Sequence, residues 1–365
     1  MRIAVAVAVL MGLVGCRHEM RVDSARPVVP YVSGTTAELK GDVVLTNRQQ
    51  VADYTRRMMG TLAPAITFRL VMPGAYDVAY AVADELLRDG VAVAFSVRGK
   101  GSQITLVPTY ADNEVMLVAI SNPSIRSGLS ADRKRALALA EKIVKDVCSG
   151  ASSDYERALA LHDYLVLNCT YTPSLHGVDT ANATARLLLT NRGVCDAYTR
   201  TYRLLLSIAG IENKFVAGIA QGDNHCWNLV RLDGHWVHVD CTYSDPTPDA
   251  PGRVCRSHFA LTDSLIARDH SWNRDGYPVA NSAQLYYPFR YAAFDSVYDL
   301  TLWCSRQADK PGYVTAYVDE IYRCGADMKT VQLLFGQAHA ELGLHVVRSF
   351  TLEDAVPGVI VCKCE

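Results

Sequence analysis

The chain has 365 residues, more than one typical domain, so two or three folded units are expected. Half of the residues are hydrophobic and a fifth are charged, the balance of an ordinary globular protein with a large core. The formal net charge of −2 gives no electrostatic case for a nucleic acid or an anionic membrane surface as partner.

Arg2 is followed by an apolar run over 3–14, too short to span a bilayer. The run ends in Leu13-Val14-Gly15-Cys16, which resembles a bacterial lipoprotein processing site, although Val14 is a less usual residue there. On that resemblance 1–16 is a signal peptide, and Cys16 is lipidated and becomes the new N-terminus. An ordinary cleaved leader or a retained anchor would fit the same run. The expected location is the bacterial cell envelope, anchored to the bilayer through acylated Cys16, with secretion as the alternative. Arg17 is not the Asp that commonly marks inner-membrane retention, which favours the outer membrane in a Gram-negative cell. Residues 17–40 are polar, with Pro27, Pro30 and Gly34, and read as a tether.

Residues 41–125 read as an N-terminal α/β module. Asn47 is placed to cap a helix over 48–62. A strand over 65–72, a helix over 76–89 stopped by Gly90, and strands over 91–97 and 103–110 follow, the last two joined at Gly99-Lys100-Gly101.

The segment 126–290 carries the chemistry. Ser130 precedes an amphipathic helix over 133–147, and a second helix is expected over 154–168. A helical turn over 184–190 leads to Gly193-Val194-Cys195. Cys195 opens a periodic run in which Tyr198, Tyr202, Leu205, Leu206 and Ile208 mark one face and Gly210 ends it. A thiol at a helix N-terminus feels the positive end of the helix dipole, which lowers its pKa. The first N–H groups of the helix are free of intrahelical bonds, so the N–H of Cys195 is a candidate oxyanion donor. A second donor should lie upstream, with Tyr171 as the candidate. A strand over 225–232, an Asp233-Gly234 turn of type I′ and a return strand over 235–242 form a hairpin. A two-residue loop puts Leu232 opposite His235 and therefore Trp227 opposite Asp240. His225 and Asp240 then share one face on a diagonal of about 7–8 Å. Cys195, His225 and Asp240 thus supply a nucleophile, a base and a group that orients the base. Trp227 lies on their face and is a candidate to shield or bind substrate there. Cys226 falls opposite Cys241 on the other face, at a hydrogen-bonded position whose wide spacing favours two buried thiols over a disulfide.

The stretch 291–365 repeats the element order of the first module without its sequence: helix over 295–308, strand over 312–318, helix over 327–342, strands over 344–350 and 359–364. Eleven cysteines are many for an exported chain. Setting aside Cys16 and Cys195 leaves an odd number, so the rest cannot all pair internally. Cys362 and Cys364 would share one strand face and are not expected to bond each other. No cysteine or histidine cluster has the spacing of a zinc site.

The motifs Gly193-Val194-Cys195-Asp196-Ala197-Tyr198, His225-Cys226-Trp227-Asn228 and Val239-Asp240-Cys241-Thr242 resemble, in order and spacing, the transglutaminase-like superfamily. Ser257-His258-Phe259-Ala260-Leu261-Thr262-Asp263 and Asp269-His270-Ser271-Trp272 resemble the tail of its bacterial members, where His270 is a candidate to line the cleft but reads more readily as core. Relatives commonly carry Ala where this chain has Cys226. The resemblance covers roughly 130–290. It implies a papain-like α+β domain between two smaller α/β modules, with Cys195, His225 and Asp240 as catalytic triad. It also implies a thioester intermediate on a peptide or protein substrate. Water as acceptor makes the chain a peptidase or amidase, the favoured outcome; an amine makes it a protein-crosslinking transglutaminase. A non-catalytic envelope binding protein built on the same scaffold is the rival from another class. No cofactor is implied, and no acidic cluster suggests calcium. Nothing in the sequence speaks to oligomeric state.

Overall fold

The structure, a computed structural model, describes residues 5–8, 43–245, 247, 249, 254–256, 258–282, 293–294, 296–306, 312–318, 321, 327–343, 347–352 and 359–364. Cys16 and the 17–40 tether lie outside them. Among the described residues no helix is long and apolar enough to cross a membrane. The fold is α+β. It has three main sheets, two of them mixed and the central one antiparallel, with helices packed between and around them.

The first sheet contains β1 (Val5–Ala8), β2 (Val44–Leu45), β3 (Ile66–Leu70), β4 (Ala92–Lys100) and β5 (Gln103–Tyr110) in the order β1-β4-β5-β3-β2. Helices α1 (Arg48–Met59) and α2 (Ala75–Leu87) are wound between its strands. Asn47 caps α1 by accepting from the Gln50 amide, as its place in the sequence predicts. Alternation along β3 buries Ile66, Phe68 and Leu70 against Val82 and Leu86 of α2 in one core. β1 lies within the run read as a leader and pairs antiparallel with β4.

Two helices not announced by the sequence follow, α3 (Asp112–Ser121) and α4 (Pro123–Gly128). Then come α5 (Ala131–Val147), α6 (Asp154–Asn168), α7 (Ala183–Thr190) and α8 (Cys195–Ile208). The central sheet has β8 (Asn213–Ala220), β9 (Asp223–Leu232), β10 (His235–Val239), β11 (Phe259–Leu261) and β12 (His270–Trp272) in the order β11-β10-β9-β8-β12. Its β9–β10 register is the expected one, Leu232 opposite His235 and Asn228 opposite Val239. Asp233 and Gly234 both have positive φ, 47° and 89°, as a type I′ turn requires. Both faces of this sheet are buried. Val230, Leu232, Val237 and Val239 pack toward α8, while Val216, Trp227, Leu229 and Leu261 form a second layer.

The last sheet, β13 (Ala293–Phe294), β14 (Gly312–Val318), β15 (Val347–Leu352) and β16 (Val359–Cys364), has the order β13-β14-β16-β15. Helices α10 (Val297–Arg306) and α11 (Met328–Leu342) connect its strands.

Helix α7, which leads into the thiol loop, makes no cap bond with its own Asn182 side chain. A distant residue caps it instead. Asp112, fully buried at the start of α3, accepts from the Thr184 and Ala185 amides at 3.2 and 2.6 Å. Replacing it leaves two buried donors and a helix dipole uncompensated. Asp112→Ala should therefore lower unfolding stability by about 1–2 kcal/mol, read as a lower urea midpoint at unchanged slope. An unchanged midpoint would show that water replaces the carboxylate at no cost.

Candidate functional site

The thiol is positioned by packing at Gly193. A Cβ there would lie 2.7 Å from Ala197 Cβ and 2.9 Å from Leu187 Cδ1, so the close meeting of α7 and α8 excludes any larger residue. Gly193 is not among the positive-φ residues; space is what it supplies here, where the sequence suggested a sharp turn. Cys195 is then the first residue of α8, with only 5% of its surface exposed.

The hairpin brings the other two groups to it. Sequence reading carried the return strand through Thr242, but β10 ends at Val239. Asp240 leaves the ladder and caps the short helix α9 (Cys241–Ser244), its Oδ1 accepting from the Thr242 and Tyr243 amides at 2.8 and 3.2 Å. That turn aims Oδ2 at His225, whose Nε2 lies 2.6 Å away. The other ring nitrogen of His225 is left for the thiol, and the charges of the two groups act on each other.

The three groups shift one another. The Cys195 thiol is lowered to about 5 by the Cys226 thiol packed beside it, against burial, and by His225. Burial opposes the His225 imidazolium, but Asp240 and then Cys195 outweigh it and raise the ring to about 10. Asp240 is completely buried, yet the two imidazoles on it hold it well below the usual carboxylate range. The arrangement favours a thiolate–imidazolium pair.

Trp227 lies on the triad face, as the hairpin register placed it, and is fully buried. Its ring stacks on His225 at 6.1 Å, and its Nε1 donates to His238 Nδ1 at 2.9 Å. Tyr171 lies beside Gly193 in a two-strand pairing of β6 (Thr170–Tyr171) with β7 (Arg192–Gly193). Its hydroxyl is 3.1 Å from His176 Nε2. The His270 side chain is completely buried behind Asp240, the core position that the sequence reading favours over the cleft.

Two features escaped the sequence. Cys226 has the parity that turns it away from His225, and with Asn228 it faces α8. Asn228 Nδ2 donates to the Thr199 carbonyl and Thr199 Oγ1 to the Cys226 carbonyl. Yet α8 begins where β9 begins, so Cys226 packs with Phe215 directly against Cys195. Cys226 and Cys241 are free, buried thiols in separate clusters. The second feature is a set of histidines and carboxylates around His270, drawn from four elements far apart in sequence. Two triplets, His225–Asp240–His270 and His258–Asp269–His270, have facing atoms within 4.8 Å. Those atoms are paired with one another by hydrogen bonds, so the set reads as a hydrogen-bonded chain.

Residues 141–241 match the transglutaminase-like superfamily, the family whose motifs the sequence resembles. A stretch of 61 residues is 39% identical to a peptide-N(4)-(N-acetyl-beta-glucosaminyl)asparagine amidase of Caenorhabditis briggsae, covering 16% of this chain. The chain spans only about 10% of the length of that relative. A crystal structure of a TGase shows 18% identity and a TM-score of 0.28, over 56% of this chain and 60% of that one. The periplasmic domain of TgpA from Pseudomonas aeruginosa shows 20% identity and a TM-score of 0.26, over 39% and 53%. Such scores carry no argument about function, and the family match rests on sequence.

The thiol contact with Cys226 can be tested by alkylation. In the native chain the rate of Cys195 reaction with iodoacetamide should be half-maximal near pH 5, far below the free-thiol value of about 8.5. Cys226→Ala should move that midpoint up, because a methyl group donates no hydrogen bond. His225→Ala should move it further, since a thiol is a weak donor and the imidazolium a charged one. Peptide mass spectrometry at Cys195 isolates the signal from other cysteines. A Cys226→Ala curve superimposed on the native one would reduce that contact to packing.

Proposed function

We propose that this transglutaminase-like domain is a thiol hydrolase that cleaves amide bonds, a peptidase or amidase of the cell envelope. One observation carries the reading. A helix-start thiol is lowered by the charge of an imidazole whose Nε2 is 2.6 Å from a buried carboxylate.

The chemistry follows from that order. The Cys195 thiolate attacks the carbonyl carbon, and the charge that develops on oxygen faces the N–H at the start of α8. His225 gives its proton to the leaving amine, the C–N bond breaks, and a thioester remains. Water then attacks the thioester, with His225 taking its proton, and the thiolate leaves. Asp240 keeps the ring in one orientation throughout. Hydrolysis is preferred over transfer to an amine because the relative that matches 61 residues of this chain is named an amidase.

The envelope location rests on Arg2, the apolar run and Cys16. Cys304 is disulfide-bonded, a state that an oxidising compartment maintains. Processing at Cys16 would remove β1 and leave the outer edge of β4 open.

Two experiments test this. Purified native protein and Cys195→Ala are incubated with envelope extract in heavy-oxygen water with a labelled primary amine. New carboxyl termini carrying heavy oxygen are expected with the native protein alone, while Cys195→Ala melts at a similar temperature. Incorporation of the amine instead identifies a transferase, and identical products from both proteins overturn the triad. For location, mass spectrometry of membrane fractions should find an acylated N-terminal Cys16, absent in Cys16→Ser. An unmodified N-terminus beyond residue 16 on a soluble protein would make it secreted.

A further inference from the structure

We infer that His270 is a positioning residue for the Cys195–His225 pair: its ring bridges two carboxylates and carries a proton between them. The inference rests on the proposed roles of Cys195, His225 and Asp240.

Asp240 Oδ2 is shared by two imidazoles, His225 Nε2 at 2.6 Å and His270 Nε2 at 3.1 Å. The second nitrogen of His270, Nδ1, lies 2.5 Å from Asp269 Oδ1. Asp269 Oδ2 in turn lies 3.0 Å from His258 Nε2. Five side chains therefore alternate, imidazole and carboxylate, from His225 through Asp240, His270 and Asp269 to His258. The His270 and Asp240 side chains are 0% and 1% exposed, so no bulk water intervenes.

Proton counting sets the state of the middle ring. A neutral imidazole donates from one nitrogen only. Both nitrogens of His270 face carboxylate oxygens, so either the ring is protonated or one of the acids is. Asp240 already accepts two backbone amides on Oδ1, which favour its ionised form. Asp240 and Asp269 are both held below the usual carboxylate range, and the two carboxylates raise His270 against its burial. The proton therefore resides on His270. The other groups that face it are the His225, His258 and His238 imidazoles and the rings of Tyr243 at 4.7 Å and Trp227 at 4.9 Å.

A cation behind Asp240 does two things. It fixes the carboxylate in the plane that His225 needs. It also offsets part of the pull of Asp240 on the His225 proton, so that this deeply paired imidazolium can still release a proton to a leaving amine. His270 sits at the start of β12, an edge strand paired to β8, and Asp269 immediately precedes it, so a rigid element supplies both.

The test uses the full chain and iodoacetamide as the probe of Cys195. His270→Gln retains an amide donor for Asp240 but removes the charge. Both transitions of the alkylation profile, thiolate formation and loss of the His225 proton, should move up by about one pH unit. Asp269→Asn should move them in the same direction by less, because His270 then holds its proton less firmly. A purely structural role would slow alkylation without moving either transition, and folded variants with unmoved transitions overturn the inference. Nitrogen-15 histidine spectra of the native protein give a reading that does not depend on variants folding. The His270 ring is expected to be doubly protonated at pH 7, and a neutral ring there also overturns it. If His225→Ala leaves the native profile intact, the proposed pair itself fails, an outcome distinct from failure at His270.

Discussion

Asp240 keeps a full negative charge where almost no water reaches it, because four donors surround its two oxygens: two backbone amides and two imidazoles. Taking a carboxylate out of water costs several kcal/mol after relaxation. Hydrogen bonds to a charged group are the stronger kind, and four of them compensate for the lost water. The local backbone is built to supply them. The β10 ladder stops one residue early, the chain turns into a short helix, and the freed amides of Thr242 and Tyr243 close on Oδ1. The Asp240 amide itself remains tied to the sheet, donating to the His258 carbonyl. A side chain fixed in this way can orient His225 without moving.

The thiol side is fixed by packing more than by polar bonds. Gly193 lets α7 and α8 touch, and α8 lies against β9 with Cys226 and Asn228 beneath it. Arg203 reaches Glu114 of α3 at 2.6 Å, while the Tyr202 hydroxyl donates to the Ala158 carbonyl of α6 at 2.8 Å. The Tyr198 hydroxyl donates to Asp245, just past α9. The helix is thus tied to three other elements along its length. Small displacements of a reacting group cost rate steeply, and this bracing restricts them.

How much of this was legible in the sequence depends on whether the signal was local. Asn47 and Ser130 announced their helices because a cap is a bond within four residues. Asp233-Gly234 set the hairpin register because only a few residues tolerate positive φ twice. That register then put His225 and Asp240 on one face, and they meet. The helix α3 was missed because Met116, Val118 and Ala119 are buried on more than one side, which erases the period, and α4 because six residues with none buried show no period. Cys226 is the buried free thiol that its parity indicated, but its contact with Cys195 was not legible, because strand parity says nothing of where α8 starts. His258, Asp269 and His270 converge on Asp240 only after β12 docks against β8, and no spacing rule reports that. The apolar run near the N-terminus stays ambiguous for a physical reason: the same residues suit a leader and the edge strand Val5–Ala8.

The two flanking sheets share strand order and direction. In each a short strand runs parallel to the next, β2 to β3 and β13 to β14, and a hairpin then adds two antiparallel strands. The first of these units also acts on the charge balance beside the thiol. Asp196 follows Cys195 directly, and its negative charge works against a thiolate. Arg200, one turn on, binds Asp196 at 2.7 Å, lies 4.8 Å over the Phe215 ring and donates to the carbonyl of Gly90, just past α2. A guanidinium buried this deeply needs acceptors for its fixed fork of donors. Part of that need is met by a backbone group outside the central sheet and its helices. The carbonyl of Gly90 thereby helps hold Arg200 where it compensates Asp196, so the N-terminal unit contributes to the field in which Cys195 ionises.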